Sequence, residues 1–248
     1  MSGGPYGSWP PAARRALVKR ALRDCRVLTR QQLAWRGLAD ASRALGLASV
    51  QRTCRTRTTQ EHSAVTLEFV AADDRWLQRS PRDLMHWAGL AELWFATGWR
   101  EGGLWRLIDA SGRHGSVLPD AEVLWRADAG VDKVDMAVEV DAGYTRSVIE
   151  RKVQGLYDQG YRGVMWGTTV HARVRTLTRL VDQMTDDGRL PWLRRLHVRY
   201  VNMWSVHDPY VHRPRCHKLL TAQRDYVYSR YTPEALSADV PPDDYSTD

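Results

Sequence analysis

The chain has 248 residues, 43% hydrophobic and 26% charged, an ordinary balance for a soluble globular protein of one large domain or two small ones. Its three cysteines, Cys25, Cys54 and Cys216, are widely spaced without a CxxC pair, which argues against a disulfide framework and fits a reducing compartment. The N-terminus has no apolar signal region, and no stretch has the length of a membrane span, so the expectation is a cytoplasmic protein without a membrane partner.

The net charge of +7 is unevenly spread. Residues 1–60 carry 12 Lys/Arg against 2 Asp/Glu, residues 61–170 carry 12 against 17, residues 171–230 carry 12 against 5, and the last 18 carry none against 5. An acidic middle between basic flanks suits a protein that holds a polyanion with Lys and Arg while keeping a carboxylate patch local. An Arg-rich surface of no special function is the plainer account of the same charges.

In chain order, residues 1–11 are rich in Gly, Pro and Ser and are expected to be a disordered tail. Residues 12–27 have the apolar period of a basic amphipathic helix. Thr29 is a plausible N-cap for the short helix of "TRQQLAWRGLA". A third helical piece follows, then the Arg/Thr run "RTCRTRTTQ" (52–60), and "SAVTLEFVA" (63–71) alternates as a strand. Three short helices and a strand are the order of a winged helix-turn-helix over 12–79. Arg52, Arg55 and Arg57 near its recognition helix or wing are then the candidate DNA-binding residues.

Ser80-Pro81-Arg82-Asp83 is a helix start, with Ser at the N-cap, Pro at the first position and an acid in the first turn. The helix over 80–98 has so wide an apolar stripe that it is expected to connect two bodies of structure. His86 sits beside that stripe and reads as a buried structural histidine. Strands are expected at 104–109, 121–127, 133–141, 162–169 and 196–204, with helices at 145–160 and 170–184. This β-β-β-α-β-α-β order predicts a mixed-sheet α/β domain over 99–205. Residues 206–248 are expected to be irregular. Their "HDPYVHRPRCHK" segment reads as a basic loop, since its His and Cys spacing matches no zinc pattern.

The expected strand ending "MAVEVD" (136–141) puts Glu139 and Asp141 on one face, because side chains two apart on a strand point the same way. Asp120, in "LPDAEVLW", starts the preceding strand. Three carboxylates around one point suit a hard divalent cation, Mg²⁺ or Mn²⁺, able to activate water against a phosphodiester. Pro119-Asp120 with Glu139-Val140-Asp141 resembles the PD-(D/E)xK signature of restriction-endonuclease-like nucleases, and the element order agrees with that fold.

More narrowly, the chain resembles the replication-relaxation family of plasmid and mobile-element proteins. The resemblance rests on "LTRQQLA" (28–34), "LMHWAGLAELWFA" (84–96), "LPDAEVLW" (118–125), "VEVDAGYTRSVIERKVQGLY" (138–157) and "VMWGTTVHARVRTLTRLV" (164–181). It implies a winged helix joined to a nuclease-like domain, DNA as partner, and association with other replication or transfer proteins. One departure matters: the nuclease pattern has Lys where this chain has Asp141. Lys152, on the sheet-facing stripe of the next helix, is the candidate substitute. Two readings follow. Asp120, Glu139, Asp141 and Lys152 form a metal-dependent nuclease site, or Lys152 closes a structural ion pair in a DNA-binding or scaffold protein without cleavage.

Overall fold

Pro11 opens the first helix, where its fixed φ fits and its missing N–H is not needed. This helix, α1 (Pro11–Cys25), begins a computed structural model that describes residues 4–57, 60–97, 104–108, 117–126, 132–210 and 219–226. It buries Leu17, Val18, Ala21, Leu22 and Cys25 and ends at Arg26, whose φ of 70° turns the chain out of the helix. The expected disordered tail needs correction from residue 4 onward. Tyr6 is buried, its ring 5.0 Å from that of Trp9 and 6.1 Å from that of Phe95, and its N–H donates to the Arg36 carbonyl. Two aromatic rings bury enough surface to offset the ordering of a short Gly/Pro segment.

Strand β1 (Val27–Thr29) leads into α2 (Arg30–Trp35), followed by α3 (Ala39–Ala44). Thr29 closes a reciprocal cap: its hydroxyl accepts the Gln32 N–H at 3.1 Å while the Gln32 side-chain Oε1 accepts the Thr29 N–H at 2.8 Å. The Arg/Thr run (52–60) begins inside a strand. Ala48–Arg55 is a strand, β2, paired antiparallel with β3 (Ala64–Ala71), and β1 pairs on the other side of β3. Polar residues conceal its alternation: Cys54 is buried and Val50 and Arg52 half-buried, while Gln51, Thr53 and Arg55 are exposed.

Helix α4 (Pro81–Thr97) lies between two parts of the core. One side, with Leu84, Ala88 and Leu93, packs in a cluster with Phe69 of β3 and with Val138, Val140 and Met165 of the larger sheet; another, with Ala91, Trp94 and Phe95, packs with α1. The approach to the sheet is close. A Cβ on Gly89 would lie 2.7 Å from Val140 Cγ1, and one on Gly167 would lie 3.0 Å from Leu93 Cδ1.

The larger sheet comprises β4 (Leu104–Leu107), β5 (Ala121–Arg126), β6 (Asp132–Asp141), β7 (Gly163–Thr168), β8 (Arg195–Tyr200) and β9 (Thr221–Asp225), side by side in that order among the described residues. Pairings β6–β7 and β7–β8 are parallel, bridged by α5 (Arg146–Asp158) and α6 (Arg173–Asp186); the rest are antiparallel. Helices α5 and α6 bury Ile149, Val153, Val174 and Leu177 with Val164, Trp166 and Val198, so the mixed sheet has helices on both faces. Strand β9 corrects the expectation of an irregular tail. Only Ala222 of its five residues is buried, so no apolar run marks this edge strand.

Leu84 has no exposure, so Leu84→Asp is expected to cost at least about 3 kcal/mol in denaturant unfolding, the scale of an uncompensated buried charge. Gly89→Ala, which must push Val140 aside, is expected to cost about 1–3 kcal/mol by overpacking.

Candidate functional site

Asp120 immediately precedes β5 but already belongs to the ladder. Its N–H donates to the Val138 carbonyl at 2.9 Å, and its carbonyl accepts the Ile108 N–H at 3.1 Å. Its side chain extends the pairing by one place, since Oδ2 accepts the Val140 N–H at 2.8 Å. Oδ1 lies 3.2 Å from Nε2 of His86, on α4.

On β6, Val138 and Val140 pack toward α4, while Glu139 and Asp141 meet side chains of α5 and α6. The two carboxylates share a face but not a cation. Lys152 Nζ, on α5, donates to both Glu139 oxygens at 2.5 and 2.7 Å. Asp141 Oδ1 accepts the N–H groups of Gly143 at 2.8 Å and Tyr144 at 3.3 Å and Arg173 Nη1 at 2.9 Å, and Oδ2 accepts Trp166 Nε1 at 2.5 Å. Both carboxylates are fully buried, so each is held by its own set of donors.

This arrangement does not fit one Mg²⁺ or Mn²⁺ ion held by Asp120, Glu139 and Asp141. Three donors crowd Oδ1 of Asp141 and one sits on Oδ2, while Lys152 takes both Glu139 oxygens. Among the described residues no group of three or more His, Cys, Asp or Glu side chains is arranged to hold a metal ion.

Electrostatically the four groups around Glu139 act as a unit. Burial, then the negative charge of Asp120, raises the Glu139 carboxyl well above its ordinary range, against the pull of Lys152. Burial works against the Lys152 ammonium, but Glu139 and then Asp120 outweigh it and raise its pKa. Burial also opposes charge on His86 and Asp120. Their mutual attraction prevails, so the imidazole is raised and the carboxyl lowered. Tyr144, its ring centre 5.4 Å from Lys152 Nζ, has its phenol pushed up to about 12 by burial and then by Glu139.

A cleft of about 430 Å³ adjoins this cluster. Arg55 of β2, Arg82 and His86 of α4, Val140 of β6 and Tyr144 line it. The segment after β2 is fastened beside it, since the Thr169 hydroxyl donates to the Thr56 carbonyl at 2.5 Å. The three arginines of the Arg/Thr run are not equivalent here. Arg55 is exposed at the cleft, its Nη2 3.5 Å from Glu61 Oε1; Arg52 shares the inward parity of Cys54, with Nη1 on the Gln51 carbonyl at 3.0 Å; Arg57 lies past the strand and donates to Gln60 at 2.9 Å.

Sequence reasoning placed His86 in the core, whereas it is half-buried, bonded to Asp120 and open to the cleft. It also missed Arg173 and Trp166 as donors to Asp141. The signal was the first basic residue after strand β7, in "VHARVR", which stands at the sheet end where Asp141 stands. In the His/Cys segment His207 is exposed, while His212, Cys216 and His217 fall outside the described residues. No helix among the described residues is long and apolar enough to cross a membrane.

No protein-family model matches this chain, and no curated protein or solved structure gives a significant match.

Lys152→Met is expected to cost about 3–5 kcal/mol at neutral pH, because it leaves the Glu139 carboxyl buried without its cation; denaturant melts measure this. The His86–Asp120 pair sets a pH window. A raised histidine stabilises the fold fully below its ordinary 6.5 and less as pH climbs through its folded value. A lowered aspartate stabilises it fully above its ordinary 3.8 and less as pH falls through its folded value. The melting-temperature gap between the parent and His86→Gln is therefore expected to be widest between those two values and to shrink on the alkaline side. A gap that stays flat to pH 9 would remove the ion pair.

Proposed function

We infer that this is a DNA-binding protein, with residues 12–79 as a winged helix and the mixed sheet as a restriction-endonuclease-like layer, as the resemblance to the replication-relaxation family implies. The α-β-α-α-β-β order and the antiparallel β1-β3-β2 sheet support the first assignment. The β-β-β-α-β-α-β run, with Asp120, Glu139 and Lys152 grouped beside its parallel strands, supports the second. The observation that carries the functional reading is the cleft. Arg55 of the β2–β3 hairpin and His86 and Tyr144 of the sheet side line one space beside the carboxylate cluster. A polyanion engaged by the basic N-terminal region is thereby led to that cluster.

Within this reading the protein binds DNA without cleaving it, as a scaffold in plasmid replication or transfer. Glu139 has both oxygens on Lys152 and Asp141 is filled by four donors, which suits a structural role for the ion pairs. A second reading, a Mg²⁺- or Mn²⁺-dependent endonuclease, draws on the adjacency of Asp120, Glu139 and Lys152, the set a nuclease with a displaced lysine would use. It requires Lys152 to release Glu139. Supercoiled and branched DNA incubated with either ion separates the two. Cleavage that Glu139→Gln abolishes without loss of binding establishes the enzyme, and intact DNA with an ion-independent melting temperature establishes the scaffold.

DNA affinity is expected to fall steeply with salt, by about 0.9 in log–log slope for each phosphate contact. Replacing Arg55 and Arg57 together with Gln should flatten the slope by about two. Arg52→Gln, on the inward face of β2, should leave it nearly unchanged. Fluorescence anisotropy across a salt series measures this, and identical slopes in parent and double variant would remove the hairpin from the DNA surface.

A further inference from the structure

The cleft is too small for a duplex. Its roughly 430 Å³ falls within the range of small-molecule sites, about 300–1,000 Å³. Its lining also differs from a surface that tracks a phosphate backbone. Met85, Val140 and Ala142 give it an apolar wall, Tyr144 contributes a half-buried aromatic ring, and Arg55 and Arg82 stand exposed beside them. His86, 3.2 Å from Asp120 Oδ1, also lines the space. An apolar wall with one aromatic ring matches a base, and two guanidiniums match a phosphate.

We propose that the cleft accepts a single unpaired nucleotide, so the preferred ligand is DNA with a single-stranded end or an extruded base, not continuous duplex. The base packs against Tyr144 and the Met85–Val140 wall, and its phosphate lies between Arg82 and Arg55. A space of about 430 Å³ suits one nucleotide and not a stacked duplex. Taking a base out of a duplex costs stacking and pairing energy, whereas a base at a frayed or single-stranded end costs little. The cleft therefore discriminates between DNA structures without reading sequence, since every base has a π-face. This rests on the DNA-binding reading for its ligand class, but the cleft can be tested apart from it.

The test uses the full chain and three probes: a blunt labelled duplex, the same duplex with a three-nucleotide single-stranded end, and deoxyadenosine monophosphate as competitor against inorganic phosphate. The tailed duplex is expected to bind about tenfold more tightly than the blunt one, the effect of one stacked base. The mononucleotide should erase that preference and phosphate should not. Tyr144→Leu should reduce it to about twofold or less, a loss of one base stack. Because Tyr144 touches the buried cluster, Arg82→Gln serves as the variant certain to leave the core alone; it lies on an exposed position and should weaken mononucleotide competition severalfold. Equal affinity for blunt and tailed duplex, or phosphate competing as well as the mononucleotide, overturns the proposal while leaving salt-dependent DNA binding standing. Mononucleotide binding without any duplex binding would uphold the cleft and overturn the DNA-binding reading instead.

Discussion

Glu92 has no solvent exposure, and a carboxylate in that position must be matched by donors or the fold loses several kcal/mol. Four hydrogen bonds match it. Arg36 donates through Nη1 and Nη2 at 2.9 Å each, Gln32 through Nε2 at 2.8 Å, and the Tyr210 hydroxyl at 2.8 Å. Those donors come from α2, from the residue that ends it, and from the chain beyond β8. The bidentate guanidinium is itself sandwiched, 3.9 Å from the Trp35 ring centre and 4.0 Å from that of Phe95. One helical carboxylate thus ties the N-terminal helices and the far end of the sheet to α4.

The placement of the cleft follows from that lock. His86 precedes Glu92 by six residues, about 9 Å along the helix axis, so fixing one end of α4 fixes the reach of the imidazole toward Asp120. Gly89, between them, lets the helix settle onto Val140. Val140 in turn presents its N–H to Asp120, and its neighbours Glu139 and Asp141 project to the opposite face. A single strand therefore transmits the position of α4 to the carboxylates on its far side. The Thr29 hydroxyl, donating to the Met203 carbonyl at 2.6 Å, adds a second tie between the N-terminal unit and the sheet.

Much of this was legible in the sequence where one period dominated. Helix α4 announced itself through Ser80-Pro81 and its wide apolar stripe, and β6 through the alternation that put Glu139 and Asp141 on one face. Lys152 was readable from its place on the sheet-facing stripe of α5. Strands β2 and β9 were not. Their exposed positions carry Gln, Thr, Arg and Asp, and only Cys54 and Ala222 are buried, too few to give a signal. The separate fates of the two β6 carboxylates were also hidden. Spacing shows that two charges share a face, whereas the donors that divide them, Arg173 and Trp166, arrive from elements more than twenty residues away. Likewise the pairing of His86 with Asp120 needs the docking of α4 on the sheet, which no local pattern encodes.

The continuous apolar packing across α4 has a mechanical consequence. Phe69 of the small sheet and Val138 of the large one belong to the same buried cluster, and Glu92 and Thr29 pin the same boundary with hydrogen bonds that water does not reach. Parting the two sheets would expose that cluster and strand a charge, so the jaws of the cleft have no inexpensive hinge. Any ligand that touches both the hairpin and the sheet must supply the adjustment itself, by bending, fraying or turning a group outward. On the proposed DNA-binding reading the protein is then a mould, and selectivity would fall on how easily the DNA deforms.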